Sequence, residues 1–198
     1  MKFDYTQLIY TEKNTLPKEF CDNIIDKFEK DDRKRAGKVR ADMVVNQTIK
    51  QSLDLLCSTY PEYDEETEVF NESLQEGLIK YAEVLYEGQV SKWAEPLTKG
   101  ALVGTSHEGY QLQRTQPGKG YTWHDDGAYR RMITFIWYLN DIHEDGYTEF
   151  LNGTKVQPEQ GKLLLFPANW MFQHRGYPPK SELKYICTGW LLSQYGNK

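Results

Sequence analysis

Residues 132–139, MITFIWYL, are apolar almost without a break. Successive side chains of a strand point to opposite faces. A strand of this composition is therefore buried on both sides, and the chain must cover both faces of the sheet that holds it. Candidates for one cover lie upstream. Thr15 and Pro17 read as a helix cap and first turn, followed by Phe20, Ile24, Ile25 and Phe28 at helical spacing, so a helix is expected over residues 17–30. A second helix is expected over 48–57, with Ile49, Leu53 and Leu56 inward. The longest is expected over 65–87, with Phe70, Leu74, Leu78, Tyr81, Ala82 and Leu85 on one face and Gly88 as its stop. Residues 39–45 read as a short strand, and 89–104 carry no clear period.

The texture changes after His107. Strands are expected over 108–116, 121–126, 132–139, 148–151, 154–156, 161–166 and 183–192, with a Pro-Gly turn at 117–120 and a polar loop at 140–146. Many short strands punctuated by Gly, Pro and Asn imply a β-sandwich or barrel. The expected architecture is mainly β with flanking α. The 198 residues suit one domain, with 1–104 as mostly helical support and 105–198 as the core.

Composition excludes several classes. No apolar run approaches the ~18 residues of a membrane span, and the first residues lack the pattern of a secretory signal. Three scattered cysteines, Cys21, Cys57 and Cys187, fit a reducing cytoplasm rather than a disulfide framework or a cysteine zinc site. A net charge of −5 makes no general case for nucleic-acid binding. One basic stretch, KDDRKRAGKVR at 30–40, reads either as a solvated helix end or as a docking patch.

The chemistry concentrates in the second half. His124 and Asp126 stand at i and i+2, so on a strand an imidazole and a carboxylate would share a face. His143 and Asp145 repeat the spacing, but in a polar loop ending in Gly146, where a turn explains them. His174, just past an apolar strand, supplies a third donor. Two histidines and one carboxylate on one face leave coordination positions open, the arrangement of non-haem Fe(II) oxygenases. Lys184 begins the last strand and shares a face with Ile186, Thr188 and Trp190. A lysine pointing into a barrel is costly unless an anion meets it, and 2-oxoglutarate would be such an anion. Thr188 and Tyr138 could add hydrogen bonds to it. A metal-binding cupin-like barrel without oxygenase chemistry, or an interaction module with a relict site, would use the same scaffold.

At these residues the sequence resembles the prolyl 4-hydroxylase-like Fe(II)/2-oxoglutarate dioxygenases, closest in look to small bacterial and phage members. The resemblance runs from about residue 110 to 192. It is carried by PGKGYTWHDD at 117–126, Arg131, Tyr138-Leu139-Asn140 and GYTEF at 146–150. Pro158 with Gly161, Phe166-Pro167, His174-Arg175-Gly176, Lys184-Tyr185 and Trp190 complete it. The resemblance implies a double-stranded β-helix, a jelly-roll barrel supported by N-terminal helices. It implies that His124, Asp126 and His174 hold Fe(II). Lys184 would pair with the distal carboxylate of 2-oxoglutarate, with Tyr138 and Thr188 lining the same pocket. The implied reaction hydroxylates an unactivated C–H with O2, converts 2-oxoglutarate to succinate and CO2, and uses ascorbate as a reductant. The carboxylate of Asp126 favours hydroxylation over halogenation.

Peptidyl proline is the implied substrate; a free amino acid, another side chain or a nucleobase are alternatives. Tyr121, Trp123, Arg131 and Arg175 lie near the ligands in sequence and are the candidates for contacting it. Two positions depart from the family pattern. Thr115 stands where many members have tyrosine, and Tyr147 stands where an acidic residue is usual. The two His-x-Asp spacings make a direct test. Asp126→Ala is expected to abolish Fe(II) binding in an equilibrium titration while Asp145→Ala leaves it intact; the reverse pattern would refute the assignment.

Overall fold

A computed structural model of the chain describes residues 5–39, 44–86, 100, 102, 105–128 and 130–193. Its centre is a seven-stranded antiparallel sheet. In spatial order the strands are β1 (Tyr10–Glu12), β11 (Lys162–Pro167), β8 (Arg131–Tyr138), β13 (Lys184–Leu192), β6 (Gln111–Thr115), β5 (Ser52–Leu56) and β2 (Arg35–Ala36). A second antiparallel sheet runs β10 (Lys155–Val156), β9 (Thr148–Phe150), β12 (His174–Gly176) and β7 (Tyr121–His124). A short pair, β3 (Lys38–Val39) and β4 (Val44–Val45), stands apart.

The apolar strand β8 is covered on both faces, as its composition demands. Phe135 and Trp137 point toward the helices, where Leu74, Leu78 and Tyr81 of α2 (Asp64–Tyr86) join them in one buried core. Phe70 of α2 meets the Trp137 ring at 5.1 Å and the Tyr110 ring at 5.2 Å. Burying each such side chain is worth about 1.5–3 kcal/mol. Polar pins fix the helix in register. The Trp137 indole N–H donates to Ser73 Oγ at 3.1 Å and the Tyr110 hydroxyl to Asn71 Oδ1 at 2.6 Å. Ile24 and Phe28 of α1 (Lys18–Lys30) reach the same core. The opposite face of β8 presents Ile136 and Tyr138 to a second core, with Phe150, Leu164, Phe166 and Phe172, between the two sheets. The sheets therefore close into the expected jelly roll.

Three local expectations are corrected. Thr15 does not cap α1: its hydroxyl donates to the Gly161 carbonyl at 2.9 Å, and Pro17 occupies the cap position without a side-chain bond. Residues 48–57 are not a helix, because 52–56 form β5 and pair with β6 through Ser52↔Thr115 and Leu56↔Gln111. The helical reading failed because Ser52 and Asp54, which look like a solvent face, are buried and bonded to each other (Ser52 Oγ to Asp54 Oδ1, 2.7 Å). The expected strand at 39–45 is the β3–β4 pair, with residues 40–43 outside the described chain. Gly88 and most of 89–104 also fall outside it.

One turn ties the N-terminal segment to the sheet. Gly161, at φ +76°, accepts from the Thr15 amide, and a Cβ there would lie 2.4 Å from the Leu16 carbonyl oxygen. Gly153 has a similar φ of +88° but open space around it. Gly153→Ala is expected to cost about 1–2 kcal/mol of left-handed strain alone. Gly161→Ala is expected to cost about 1–3 kcal/mol more by overpacking. Urea unfolding of both variants measures the difference; equal losses would show that the Leu16 contact is not tight.

Candidate active site

His174 sits on β12 between Phe150 of β9 and His124 of β7, directly opposite each in register. The pairing of β12 with β7 shifts between His174↔His124 and Gly176↔Tyr121, so β7 carries an extra residue there. Such a bulge re-aims side chains. Here it brings Tyr121 and His124 to the same side, their rings stacked at 3.5 Å and 15°. β7 ends at His124, so Asp126 lies just past the strand rather than on it. A tight turn, Ala128 N–H to Asp126 carbonyl at 2.8 Å, returns its carboxylate to the site. The expected strand alternation is thus replaced by a bulge and a turn, with the same side chains convergent.

One donor atom each from His124, Asp126 and His174 lies within 4.8 Å of the others. His124 Nε2 is 3.8 Å and His174 Nε2 3.6 Å from the two oxygens of Asp126. Each imidazole is oriented from behind. His124 Nδ1 contacts the Thr122 carbonyl at 2.8 Å, and His174 Nδ1 contacts the Phe172 carbonyl at 3.0 Å. A carbonyl only accepts, so Nδ1 carries the proton in both rings and Nε2 is left as a lone-pair donor. Burial, then the neighbouring His174, hold the His124 imidazole down at about 3, neutral and ready to ligate. Burial alone would raise Asp126, but the two imidazoles and the Thr134 hydroxyl, which donates to Oδ2 at 2.8 Å, bring it below the ordinary carboxylate range. The Trp190 indole N–H lowers it further by proximity, without a hydrogen bond of standard geometry.

A cavity of about 480 Å³ opens over these groups, and Lys184, Ile186, Thr188 and Trp190 of β13 all line it. Lys184 is buried, its ammonium donates to the Gly146 carbonyl at 2.6 Å, and it lies 5.6 Å from the Tyr138 ring centroid. Among the described residues no carboxylate pairs with it, and burial pushes its pKa down to about 7. Gly146 is forced to be glycine: at φ +67°, a Cβ would lie 2.7 Å from Ile142. Thr188 donates to the Phe135 carbonyl at 2.9 Å, and Tyr138 donates to Thr148 Oγ1 at 2.7 Å. Tyr138 thus stands behind the pocket, with Thr148 on its wall. A buried cation without an anion, facing a two-histidine, one-carboxylate set, fits Fe(II) with a bidentate organic dianion. Thr115, opposite Lys184 in register, lines the cavity too.

The candidates for substrate contact divide. Tyr121 and Arg131 line the cavity. Arg131 is already held by Glu108 through two bonds, at 2.9 and 2.7 Å, and lies 3.5 Å from the Trp190 ring centroid. Trp123 and Arg175 are not on the cavity wall. Arg175 pairs with Glu149 at 2.6 Å and lies between the Trp123 and Tyr177 rings at 4.9 and 4.8 Å. Tyr177 stacks on Tyr147 at 4.6 Å, completing that cluster. His143 is exposed and bonded to Glu182 at 2.8 Å, and Asp145, at φ +62°, forms an isolated antiparallel bridge with Pro179. Sequence reasoning missed Thr134 and the carbonyl of Gly146. Thr134 is marked in the sequence as the one aliphatic hydroxyl in the apolar run 132–139. Nothing in the sequence marks a carbonyl.

The Lys184 shift has a sign. Its folded pKa lies below the value of an unfolded lysine, so between about pH 7 and 10 the unfolded chain binds the extra proton and folding gains stability as pH rises. Without ligand, the wild type is expected to gain on Lys184→Met as pH rises from 7 to 9, by up to about 1 kcal/mol per pH unit. Thermal unfolding of both proteins across that window checks it; a constant gap would mean that Lys184 is not strained by burial.

Residues 110–192 match the family model of the 2OG-Fe(II) oxygenase superfamily. A PKHD-type hydroxylase of Synechococcus sp. (strain CC9902) is 32% identical over 108 residues, which is 50% of this chain and 47% of that one. The chain spans about half the length of the curated relatives it matches. In structure, a prolyl hydroxylase from Trichoplax adhaerens, solved with a hypoxia inducible factor peptide fragment, superposes with a TM-score of 0.70 at 17% identity. That match covers 96% of this chain and 85% of the other. A viral collagen prolyl hydroxylase from Paramecium Bursaria Chlorella virus-1, solved with 2OG, gives 0.64 at 19% identity, covering 94% and 96%. The resemblance read from the sequence therefore holds: over residues 110–192 the chain matches the 2OG-Fe(II) oxygenase superfamily, on the double-stranded β-helix fold of the prolyl hydroxylases.

Proposed function

We propose that the chain is an Fe(II)- and 2-oxoglutarate-dependent dioxygenase that hydroxylates an unactivated C–H of a peptide substrate, with peptidyl proline as the residue acted on. The observation that carries the reading is Lys184, a buried cation with no carboxylate partner among the described residues, in the same cavity as His124, Asp126 and His174. In this reading the three side chains hold the metal through His124 Nε2, His174 Nε2 and a carboxylate oxygen of Asp126. Lys184 meets the distal carboxylate of 2-oxoglutarate, with Thr188 and the Tyr138–Thr148 pair beside it. The bound iron supplies oxidative chemistry with O2, coupled to decarboxylation of the keto acid. The protein's part is to orient and to exclude water. The Nδ1 bonds fix both imidazole planes, and Thr134 fixes the carboxylate rotamer. Phe166 packs edge-on against His174 at 4.8 Å and, with Phe150, keeps that side dry. The peptide fragment solved with the Trichoplax adhaerens prolyl hydroxylase, and the collagen in the viral enzyme's name, support a peptide here.

An anaerobic titration with Fe(II) and then 2-oxoglutarate tests the cofactor assignment. The weak visible charge-transfer band of the chelate should need both additions, and Lys184→Ala should need at least about tenfold more 2-oxoglutarate for the loss of one buried charge pair. Tight iron binding with no band would leave a metal-binding barrel of another class. Succinate release together with a one-oxygen mass gain on a proline-containing peptide would establish the substrate. The same gain on free proline alone would move it to an amino acid.

A further inference from the structure

The basic stretch at 30–40, ambiguous in the sequence, folds onto the active-site cavity: Arg33, Arg35 and Lys38 line the same space as His124, His174 and Lys184. This arm is fixed. Arg35 and Ala36 pair with Asp54 and Leu53 of β5, and the Gly37 amide donates to the Ser52 carbonyl at 2.9 Å. Gly37 presses on a buried ion pair, Lys50 Nζ to Asp54 Oδ2 at 2.6 Å, so closely that a Cβ would lie 2.5 Å from Ser52 Oγ and 2.9 Å from Lys50 Cε. Lys50 and Asp54 also line the cavity.

Most charges on this wall are consumed within the protein. Lys50 is neutralised by Asp54, and Arg131 by Glu108. Arg33 is held by Asp31 at 2.7 Å, reaches Glu62 at 3.3 Å and lies 3.8 Å from the Tyr60 ring centroid. Asp126 belongs to the metal-ligand set. Two cations are left over. Arg35 is exposed and donates only to the backbone carbonyls of Asp32 and Lys34. Lys38 is exposed, and among the described residues no carboxylate lies within ion-pair distance of either. Against them on the same cavity stands one remaining carboxylate, the exposed Asp125, which accepts from the Gly127 amide, so two side-chain cations face one anion at the mouth of a chain of net charge −5.

We propose that Arg35 and Lys38 select an acidic peptide, reading carboxylates that flank the residue brought to the metal. The proposal rests on the dioxygenase reading for what happens to that residue, but not for its binding. Two side-chain cations match one or two carboxylates. A nucleic-acid strand would need a run of phosphate contacts rather than two.

The test uses three fluorescent peptides of equal length with a central proline, flanked by aspartates, lysines or serines. Anisotropy is measured anaerobically on the full chain, with and without Fe(II) and 2-oxoglutarate, at low and high salt. The aspartate peptide should bind best, and Arg35→Glu with Lys38→Glu should weaken it by about tenfold and favour the lysine peptide, as removal and reversal of rim charges does. An unchanged thermal midpoint shows that the double variant folds. No binding of any peptide, no charge preference, or a preference that survives the double variant overturns the proposal. So does tight binding of a labelled single-stranded oligonucleotide that the variant loses, when peptides show no preference. The two readings separate cleanly. Acidic selection by a protein that gives no Fe(II)–2-oxoglutarate band would sink the dioxygenase and spare the arm, and a normal band without selection would do the opposite.

Discussion

Strand β8 is the hinge of the architecture because its two faces answer to different neighbours. Phe135 and Trp137 are locked among α2 side chains, while Thr134, Ile136 and Tyr138 line the space between the sheets. The strand pairs with β13 along Ile186↔Tyr138 through Trp190↔Thr134, so the faces of β8 and β13 that look inward are set together. Fixing the apolar face against the helices therefore fixes where Thr134 touches Asp126. It also fixes where Lys184 and Thr188 project. The helical layer does no chemistry, yet it sets the height of the floor on which the chemistry stands.

Burial is used in opposite senses at the two ends of the cavity. At the metal end it keeps His124 neutral, and the carbonyls of Thr122 and Phe172 satisfy the ring protons. At the other end it isolates a cation, Lys184, with only the Gly146 carbonyl and an aromatic face for company among the described residues. A carbonyl dipole offsets part of the desolvation cost of an ammonium, and a full negative charge is needed for the rest. In the proposed function, the unused electrostatic capacity of that lysine is what would make the cavity a receptor for an anion rather than a structural void.

Most of this was legible in the sequence where side-chain type and spacing carry the information. The apolar run at 132–139 and the helix at 64–86 follow from composition and a period of 3.6, and Lys184 stands out by the rarity of buried cations. His124, Asp126 and His174 are marked by residue type, although a bulge and a turn, not strand alternation, bring them together. What was hidden depends on contacts and pairings that only the folded chain makes. Ser52 and Asp54 look solvent-facing until Lys50 and Gly37 are seen against them, which turned an expected helix into β5. Thr15 looks like a cap until Gly161 offers a better acceptor. Arg175 and Trp123, adjacent to ligands in the chain, face a different surface because strand neighbours alternate. The basic stretch could not be placed because its position depends on β2 pairing with β5.

The two imidazoles are each steadied by the carbonyl two residues earlier in the chain, Thr122 on the same strand for His124 and Phe172 in the turn before β12 for His174. Such a clasp needs only three consecutive residues and no distant partner. Ligand orientation is thereby a local property, written twice in the chain and independent of loop length or of what surrounds the mouth. Insertions, exchanged rims or a rebuilt arm at 33–38 can then alter what enters without retuning the donors. A barrel assembled this way is free to diversify its clientele while its metal-facing edge stays constant.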